Sequence, residues 1–286
     1  MSAPGRSGKS AEAAPGEPEV WLSAFRTAVH AQKHIFADHR GIEARSEYEG
    51  IGEGGDRTLV IDRLCEDTVF AELERLHADG LEFTAISEER GTVTFGDPAA
   101  PTRIVIDPID GSLNARRTVP CHSLSVAVAE GESMADVTLG YVYEFGASEE
   151  FVAVAGHGAT LDGAAMTVPP GDGLEVVALE ASKPERVQAA AAALAGNAFR
   201  LRSPGSIAVS ASYVAAGRFD GMFSTRPTRS VDAAAAQLLV REAGGHLSFG
   251  GELSESSLGL DARYGFAAAR TEADLDVLLQ AQDAVP

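Results

Sequence analysis

Arg103-Ile104-Val105-Ile106-Asp107-Pro108-Ile109-Asp110-Gly111-Ser112 is the stretch that decides how this chain folds. The β-branched run at 103–106 predicts a buried strand that delivers Asp107 to its carboxyl end, and Asp110 follows three residues later. Pro108 restricts the connection, so two carboxylates and the Ile109 carbonyl can face one point and offer the hard oxygen ligands that Mg²⁺ prefers. Gly111 and Ser112 then open what reads as a helix, whose free backbone N–H groups make a natural phosphate site. Two plainer readings compete. Asp, Pro and Gly also populate ordinary surface turns. A calcium loop needs acidic or amide residues at alternating positions, which Leu113 and Arg117 do not supply.

Other acidic residues stand at comparable places. Ser87-Glu88-Glu89 follows a strand expected over 83–86, and a carboxylate from a neighbouring strand could bridge to the same ions; the alternative is a solvated pair. Asp232 heads a helix after Ser230-Val231, where N-capping and metal binding are both open. Asp62 lies near the start of a helix and carries the same two readings. That helix is predicted from Ile61, Cys65, Val69, Leu73 and Leu76, which recur every three or four residues. Further helices are expected over 20–39, 184–194, 207–216, 232–242 and 273–282. Strands are expected over 124–129, 137–143, 150–155, 176–179, 222–224 and 266–269. Residues 46–57, with four glycines and no apolar period, are expected to be a mobile loop. Alternating elements of this kind predict layered α/β sheets packed with helices.

The chain has 286 residues and 45% apolar content, enough for one large core or two modest ones. Residues 1–18, rich in Gly, Ala, Ser, Pro and charge, are expected to be a disordered tail ahead of a single domain over 19–286. No run of eighteen apolar residues and no secretory layout is present, so a soluble cytoplasmic protein is expected. Cys65 and Cys121 have no paired spacing and read as buried thiols. A net charge of -19 argues against general affinity for nucleic acid. Lysine occurs only at Lys9, Lys33 and Lys183, a balance compatible with either an ordinary solvated surface or a high-salt source. The histidines lack H-E-x-x-H spacing, and His122 and His157 read as structural. Gly50-Ile51-Gly52-Glu53-Gly54-Gly55 matches G-x-G-x-x-G, but no strand is expected before it and its acidic surroundings would repel a pyrophosphate. Gly5-Arg6-Ser7-Gly8-Lys9-Ser10 lacks the first glycine of a P-loop.

Taken together, Gly55-Asp56-Arg57-Thr58 with Asp62, Ser87-Glu88-Glu89, Asp107-Pro108-Ile109-Asp110-Gly111-Ser112, and Val231-Asp232-Ala233-Ala234-Ala235 leading to Glu242-Ala243-Gly244-Gly245 resemble, in order, the motifs of the lithium-sensitive inositol monophosphatase and fructose-1,6-bisphosphatase superfamily. The resemblance runs from about residue 20 to the C-terminus. Ser112-Leu113-Asn114, Tyr141-Val142-Tyr143-Glu144-Phe145, Gly156-His157-Gly158-Ala159 and Arg226-Pro227 are most similar to its archaeal-type dual-activity branch. Two departures weigh against strict inositol specificity: Val231 stands where many members have Trp, and Thr225 stands where animal inositol enzymes carry an acidic residue that touches inositol.

The resemblance implies an αβαβα sandwich and a phosphomonoesterase acting on inositol 1-phosphate or fructose 1,6-bisphosphate through a metal-activated water. It implies two or three Mg²⁺ ions, with Mn²⁺ as a substitute, held by Glu88, Asp107, the Ile109 carbonyl, Asp110 and Asp232, with Asp62 reaching the third. Asp56 or Thr58 would orient water with Ser112, and Gly111 and Ser112 would hold phosphate. Asn114, Ser206, Arg226 and Arg229 are candidates for the substrate side, each Arg either clamping a second phosphate or making a surface ion pair. A homodimer is the family's common state. A 3′-phosphoadenosine-type or NADP(H) phosphatase, and a non-catalytic interaction module on the same fold, remain alternatives.

Overall fold

The computed structural model describes residues 17–51, 57–171, 173–181 and 183–286, with side chains outside 49–58. The first helix, α1 (Pro18–Asp38), starts on a proline and buries Trp21, Leu22, Phe25, Ala28, Val29 and Phe36 along one stripe. It therefore takes in Pro18, which was expected in the tail; residues 1–16 lie outside the described residues. A short antiparallel hairpin, β1 (Tyr48–Ile51) with β2 (Arg57–Leu59), occupies the described ends of the segment expected to be only a loop. Its strand does run into the glycine-rich segment, but the partner is antiparallel, so no dinucleotide-binding βα unit forms. The stripe helix follows as α2 (Val60–Ala78), burying Ile61, Cys65, Val69, Leu73 and Leu76 as the periodicity requires.

An eight-stranded sheet comes next, built from β3 (Phe83–Ser87), β4 (Gly91–Phe95), β5 (Thr102–Asp110), β6 (Ser123–Glu130), β7 (Val137–Glu144), β8 (Glu149–Val154), β9 (Gly158–Leu161) and β10 (Ala164–Met166). Its order is β10-β9-β8-β7-β6-β5-β3-β4. Neighbours are antiparallel except β3 and β5, which run parallel with Ser87 opposite Ile106. That one parallel pair brings the carboxyl ends of two acidic-terminated strands to the same edge. Between β5 and β6 lies the short helix α3 (Ser112–Arg117).

The second sheet has five strands, ordered β12-β11-β13-β17-β15. They are β11 (Leu174–Glu180), β12 (Ala198–Arg202), β13 (Gly221–Ser224), β15 (His246–Ser248) and β17 (Ala267–Ala269), while β14 (Thr228–Arg229) and β16 (Arg263–Tyr264) form a small separate pair. The remaining helices are α4 (Pro184–Ala193), α5 (Ile207–Ala215), α6 (Ser230–Glu242) and α7 (Glu272–Asp283).

Three clusters of side chains stack these elements into the expected five layers. Trp21, Phe25, Phe70, Leu73, Phe83 and Tyr141 join α1 and α2 to one face of the large sheet. Val105, Val142, Phe151, Ala208, Ala234, Leu238, Met222 and Phe266 place α5 and α6 between the two sheets. Val177, Leu179, Ala190, Phe223 and Leu278 close the far side with α4 and α7. Lying between two sheets, α6 buries every residue from Ser230 to Val240, which explains its Ala-rich sequence. Small residues let it sit close: a Cβ on Gly140 of β7 would stand 2.5 Å from the Ala235 carbonyl oxygen. Among the described residues no helix is long and apolar enough to cross a membrane.

Candidate metal and phosphate site

At the edge where β3 and β5 end, one cavity of about 660 Å³ is lined by Asp62, Glu88, Glu89, Asp107, Ile109, Asp110, Gly111, Ser112, Glu180, Arg229 and Asp232. The N-termini of α2, α3, α5 and α6 all reach it, so their dipoles favour negative charge there.

The two aspartates of the opening stretch share a face because β5 is irregular. Three residues apart on a regular strand, they would point to opposite sides. Here Asp107 pairs with Ser125 and Asp110 with Ser123, three steps on β5 against two on β6. The extra residue is a β-bulge that turns both side chains the same way. The segment is thus a bulged strand running through Pro108 rather than a turn. The Ile109 N–H donates to Asp107 Oδ1 at 3.0 Å and helps hold that geometry.

Gly111 has φ +91°, and a Cβ there would lie 3.0 Å from the Cys121 carbonyl and 3.1 Å from that of Gly205. Both the left-handed conformation and the close approach require glycine. The Ser112 hydroxyl donates to the Ile109 carbonyl at 2.9 Å.

Asp232 occupies the third position of α6, one turn inside the N-cap residue Arg229. Its Oδ2 accepts the Arg229 backbone N–H at 3.3 Å as a capping contact, and its carboxylate approaches Asp107 and Asp110. One carboxylate oxygen from each of these three buried aspartates lies within 4.8 Å of the others. Burial, followed by the charges of Glu88, Asp110 and Asp232, pushes Asp107 well above the usual carboxylate range. Burial and Asp232 likewise raise Asp110 to about 7, against hydrogen bonds from Ser206 and Ala208 that favour its charged form. Burial raises Glu88 to about 7 against Arg229, and burial with Glu89 and Glu88 raises Asp62 to about 8. Crowding and burial oppose the joint ionisation of these carboxylates, and added cations would favour it. The all-oxygen donor set, and the buried Asp62 Oδ1 with no hydrogen-bond partner, fit hard divalent ions.

Other predicted residues fall differently. Asp56 and the Thr58 side chain lie outside the described residues. Ser206, expected on the sugar side, is buried behind Asp110: its hydroxyl donates to Asp110 Oδ2 and accepts the Val209 N–H that starts α5. A buried acceptor needed a donor, and the cap supplies it. Asn114 is not among the residues lining the cavity; its side-chain amide donates to the carbonyls of Cys121 (2.8 Å) and Pro204 (2.7 Å), pinning α3 to the α5 entrance. Arg229 is not a surface clamp. It is drawn between Glu88 and Asp232 and pairs with both; burial would lower its pKa, but Asp232 and Glu88 outweigh that and raise it. Arg226 is exposed and lines the mouth. Thr225 faces backbone, donating to the carbonyls of Glu180 (3.0 Å) and Ala181 (2.8 Å). His122 packs between Phe36 and Phe145, with burial pushing it down to about 4.

The sequence reading missed the cations that share the mouth with Arg226, namely Arg116, Lys183 and Arg186. It also missed Glu180, which ends β11 as Asp107 follows 103–106 and accepts from Ser210 at 2.6 Å. Strand-end position was the available signal for Glu180, and rarity among lysines was the signal for Lys183.

Layered sheets meeting at a cluster of buried carboxylates and helix N-termini suit a metal-dependent phosphatase. The model of the inositol monophosphatase family matches residues 17–283. A fructose-1,6-bisphosphatase/inositol-1-monophosphatase of Methanothermobacter thermautotrophicus is 33% identical over 244 residues, covering 80% of this chain and 84% of that protein. The Nus factor SuhB of Escherichia coli is 32% identical over 196 residues, covering 66% and 70%. A crystal structure of an inositol monophosphatase-fructose 1,6 bisphosphatase superposes with a TM-score of 0.79 at 26% identity, covering 91% of this chain and 99% of that one. The chain belongs to the inositol monophosphatase family and is a phosphatase.

Proposed function

We propose that this chain is a Mg²⁺-dependent phosphomonoesterase for small sugar or polyol phosphates, with fructose 1,6-bisphosphate preferred over inositol 1-phosphate. The observation that carries the reading is that one cavity holds three clustered buried aspartates at its floor and Arg116, Lys183, Arg186 and Arg226 at its mouth. Asp107, Asp110 and Asp232, with the Ile109 carbonyl, would hold one ion; Glu88 and Asp62 would extend the set to two or three, with Mn²⁺ able to substitute. Bound Mg²⁺ supplies Lewis acidity toward the phosphoryl group and its leaving oxygen.

The chain's own groups do the rest. The N–H groups of Gly111 and Ser112 hold the phosphate where α3 begins. Ser112, beside the Ile109 carbonyl, orients the attacking water with Asp56 or Thr58. The water oxygen bonds to phosphorus as the bond to the sugar oxygen breaks, one water proton ends on the departing sugar oxygen, and no covalent enzyme intermediate is required. Cys121 supplies no nucleophile, since its thiol is raised to about 12 by burial and neighbouring carboxylates. The mouth cations suit a second phosphate. Thr225, spent on backbone carbonyls, offers no carboxylate to an inositol ring.

A phosphate-release panel tests this reading, using inositol 1-phosphate, fructose 1,6-bisphosphate, 3′-phosphoadenosine 5′-phosphate and NADP⁺, with and without Mg²⁺ and with Li⁺ added. The bisphosphate should be cleaved fastest, only with Mg²⁺, and Li⁺ should inhibit. Cleavage of nucleotides alone would replace the substrate assignment. No release under any condition would favour an interaction module.

A further inference from the structure

Glu66 stands one turn after Asp62 on α2 and is fully buried, with 0% exposure. Its Oε1 accepts hydrogen bonds from the Ser87 hydroxyl and from the Arg90 backbone N–H at 3.1 Å. Its Oε2 faces the Arg90 guanidinium at 3.4 Å. Ser87 and Arg90 are the residues immediately before and after Glu88-Glu89. Arg90 is itself fixed, pairing with Asp67 at 2.5 Å and lying over the Phe70 ring at 4.2 Å, both one turn or less further along α2. The helix therefore grips both ends of the turn that carries two acidic residues into the cavity.

A buried carboxylate is costly, and an apolar side chain could fill the same volume on α2. What the acid adds is acceptor capacity aimed at the turn. The same rigid helix presents Asp62 to the cavity directly, so the side chains of Asp62 and Glu88 are held relative to each other through one element. Asp107, Asp110 and Asp232 are fixed separately by β5 and α6.

We propose that Glu66 is a positioning residue that sets the divalent-ion affinity of the Asp62–Glu88 side of the cavity without touching ion or substrate. The inference rests on the functional reading above. Hydrogen-bond partners that orient ligands act mainly on affinity, on the order of 10-fold to 100-fold.

The test is Mn²⁺ binding to the full chain without substrate, followed by electron paramagnetic resonance, in wild type, Glu66→Gln and Ser87→Ala. Ser87→Ala removes a donor on the other side of the contact and leaves α2 intact, so the comparison survives if the Gln variant folds poorly. In both variants at least one ion should bind about 10-fold more weakly. The Mg²⁺ concentration for half-maximal phosphate release should rise in parallel, while kcat at saturating Mg²⁺ stays within about threefold. Wild-type Mn²⁺ affinity in both variants would overturn the proposal, as would a fall in kcat at unchanged metal affinity. If wild type itself bound no Mn²⁺, the functional reading would fail instead, and the two failures are thereby told apart.

Discussion

The floor and the mouth of the cavity carry opposite charges and are built in opposite ways. At the floor, Asp107, Asp110 and Asp232 are 1%, 6% and 4% exposed and are fixed by a β-bulge, a helix cap and hydrogen bonds from α5. At the mouth, Lys183 and Arg226 are exposed side chains beside surface elements. Buried charges interact strongly because little water screens them, whereas exposed cations attract weakly and yield to salt. The difference teaches how the proposed function divides: the floor would serve one chemistry, the attack on a phosphate, and the mouth would select which molecule presents it.

The largest break in that division comes at the floor. Asp110→Asn keeps an acceptor for Ser206 and Ala208 but removes a ligand charge. Steady-state phosphate release should fall by about 10³-fold, or about 4 kcal/mol of barrier, with no drop in melting temperature. Near-normal turnover at limiting Mg²⁺ would remove the floor from the mechanism.

Arg229→Met asks whether the floor uses an internal counter-ion. Breaking its pairs with Glu88 and Asp232 should destabilise chelator-treated protein by roughly 3 kcal/mol in urea unfolding, and saturating Mg²⁺ should restore most of that loss. An equal loss with and without Mg²⁺ would make Arg229 a purely structural link.

Acidity sharpens the same contrast by a smaller amount. Asp110 and Glu88 titrate near 7 and Asp62 near 8 in the folded state, above ordinary carboxylates. Between about pH 4 and 8 the folded state therefore binds more protons than the unfolded one, and stability falls as pH rises. Melting of chelator-treated protein should drop from pH 5 to pH 8, and Mg²⁺ should flatten the slope. A metal-free melting temperature that climbs over this range would mean the floor carboxylates are not crowded.

Much of the floor was legible because its signals are local. The β-branched run 103–106, the helix stripe from Ile61 to Leu76 and the strand-end acids each declare themselves within a dozen residues. Asp232 joined them only through a family resemblance, since N-capping explains it equally well in isolation. The bulge that turns Asp110 beside Asp107 was not legible, because it depends on the register against Ser123 and Ser125 of β6. Ser206 and Asn114 were misjudged for a related reason: a polar residue near a motif gives no sign of whether it faces ligand or satisfies a buried partner. The hairpin at Tyr48–Ile51 hid among glycines without an apolar period. At the mouth, the cations come from three places, Arg116, Lys183 with Arg186, and Arg226, which are far apart in sequence and joined only by folding.

The most direct test of the division is kcat and KM for fructose 1,6-bisphosphate and inositol 1-phosphate in Lys183→Ala/Arg226→Ala at saturating Mg²⁺. The account predicts a rise of about 10-fold in KM for the bisphosphate, worth about 1.4 kcal/mol, with its kcat and both constants for the monophosphate within about twofold of wild type. Equal losses on the two substrates, or a fall in kcat with KM unchanged, would contradict it.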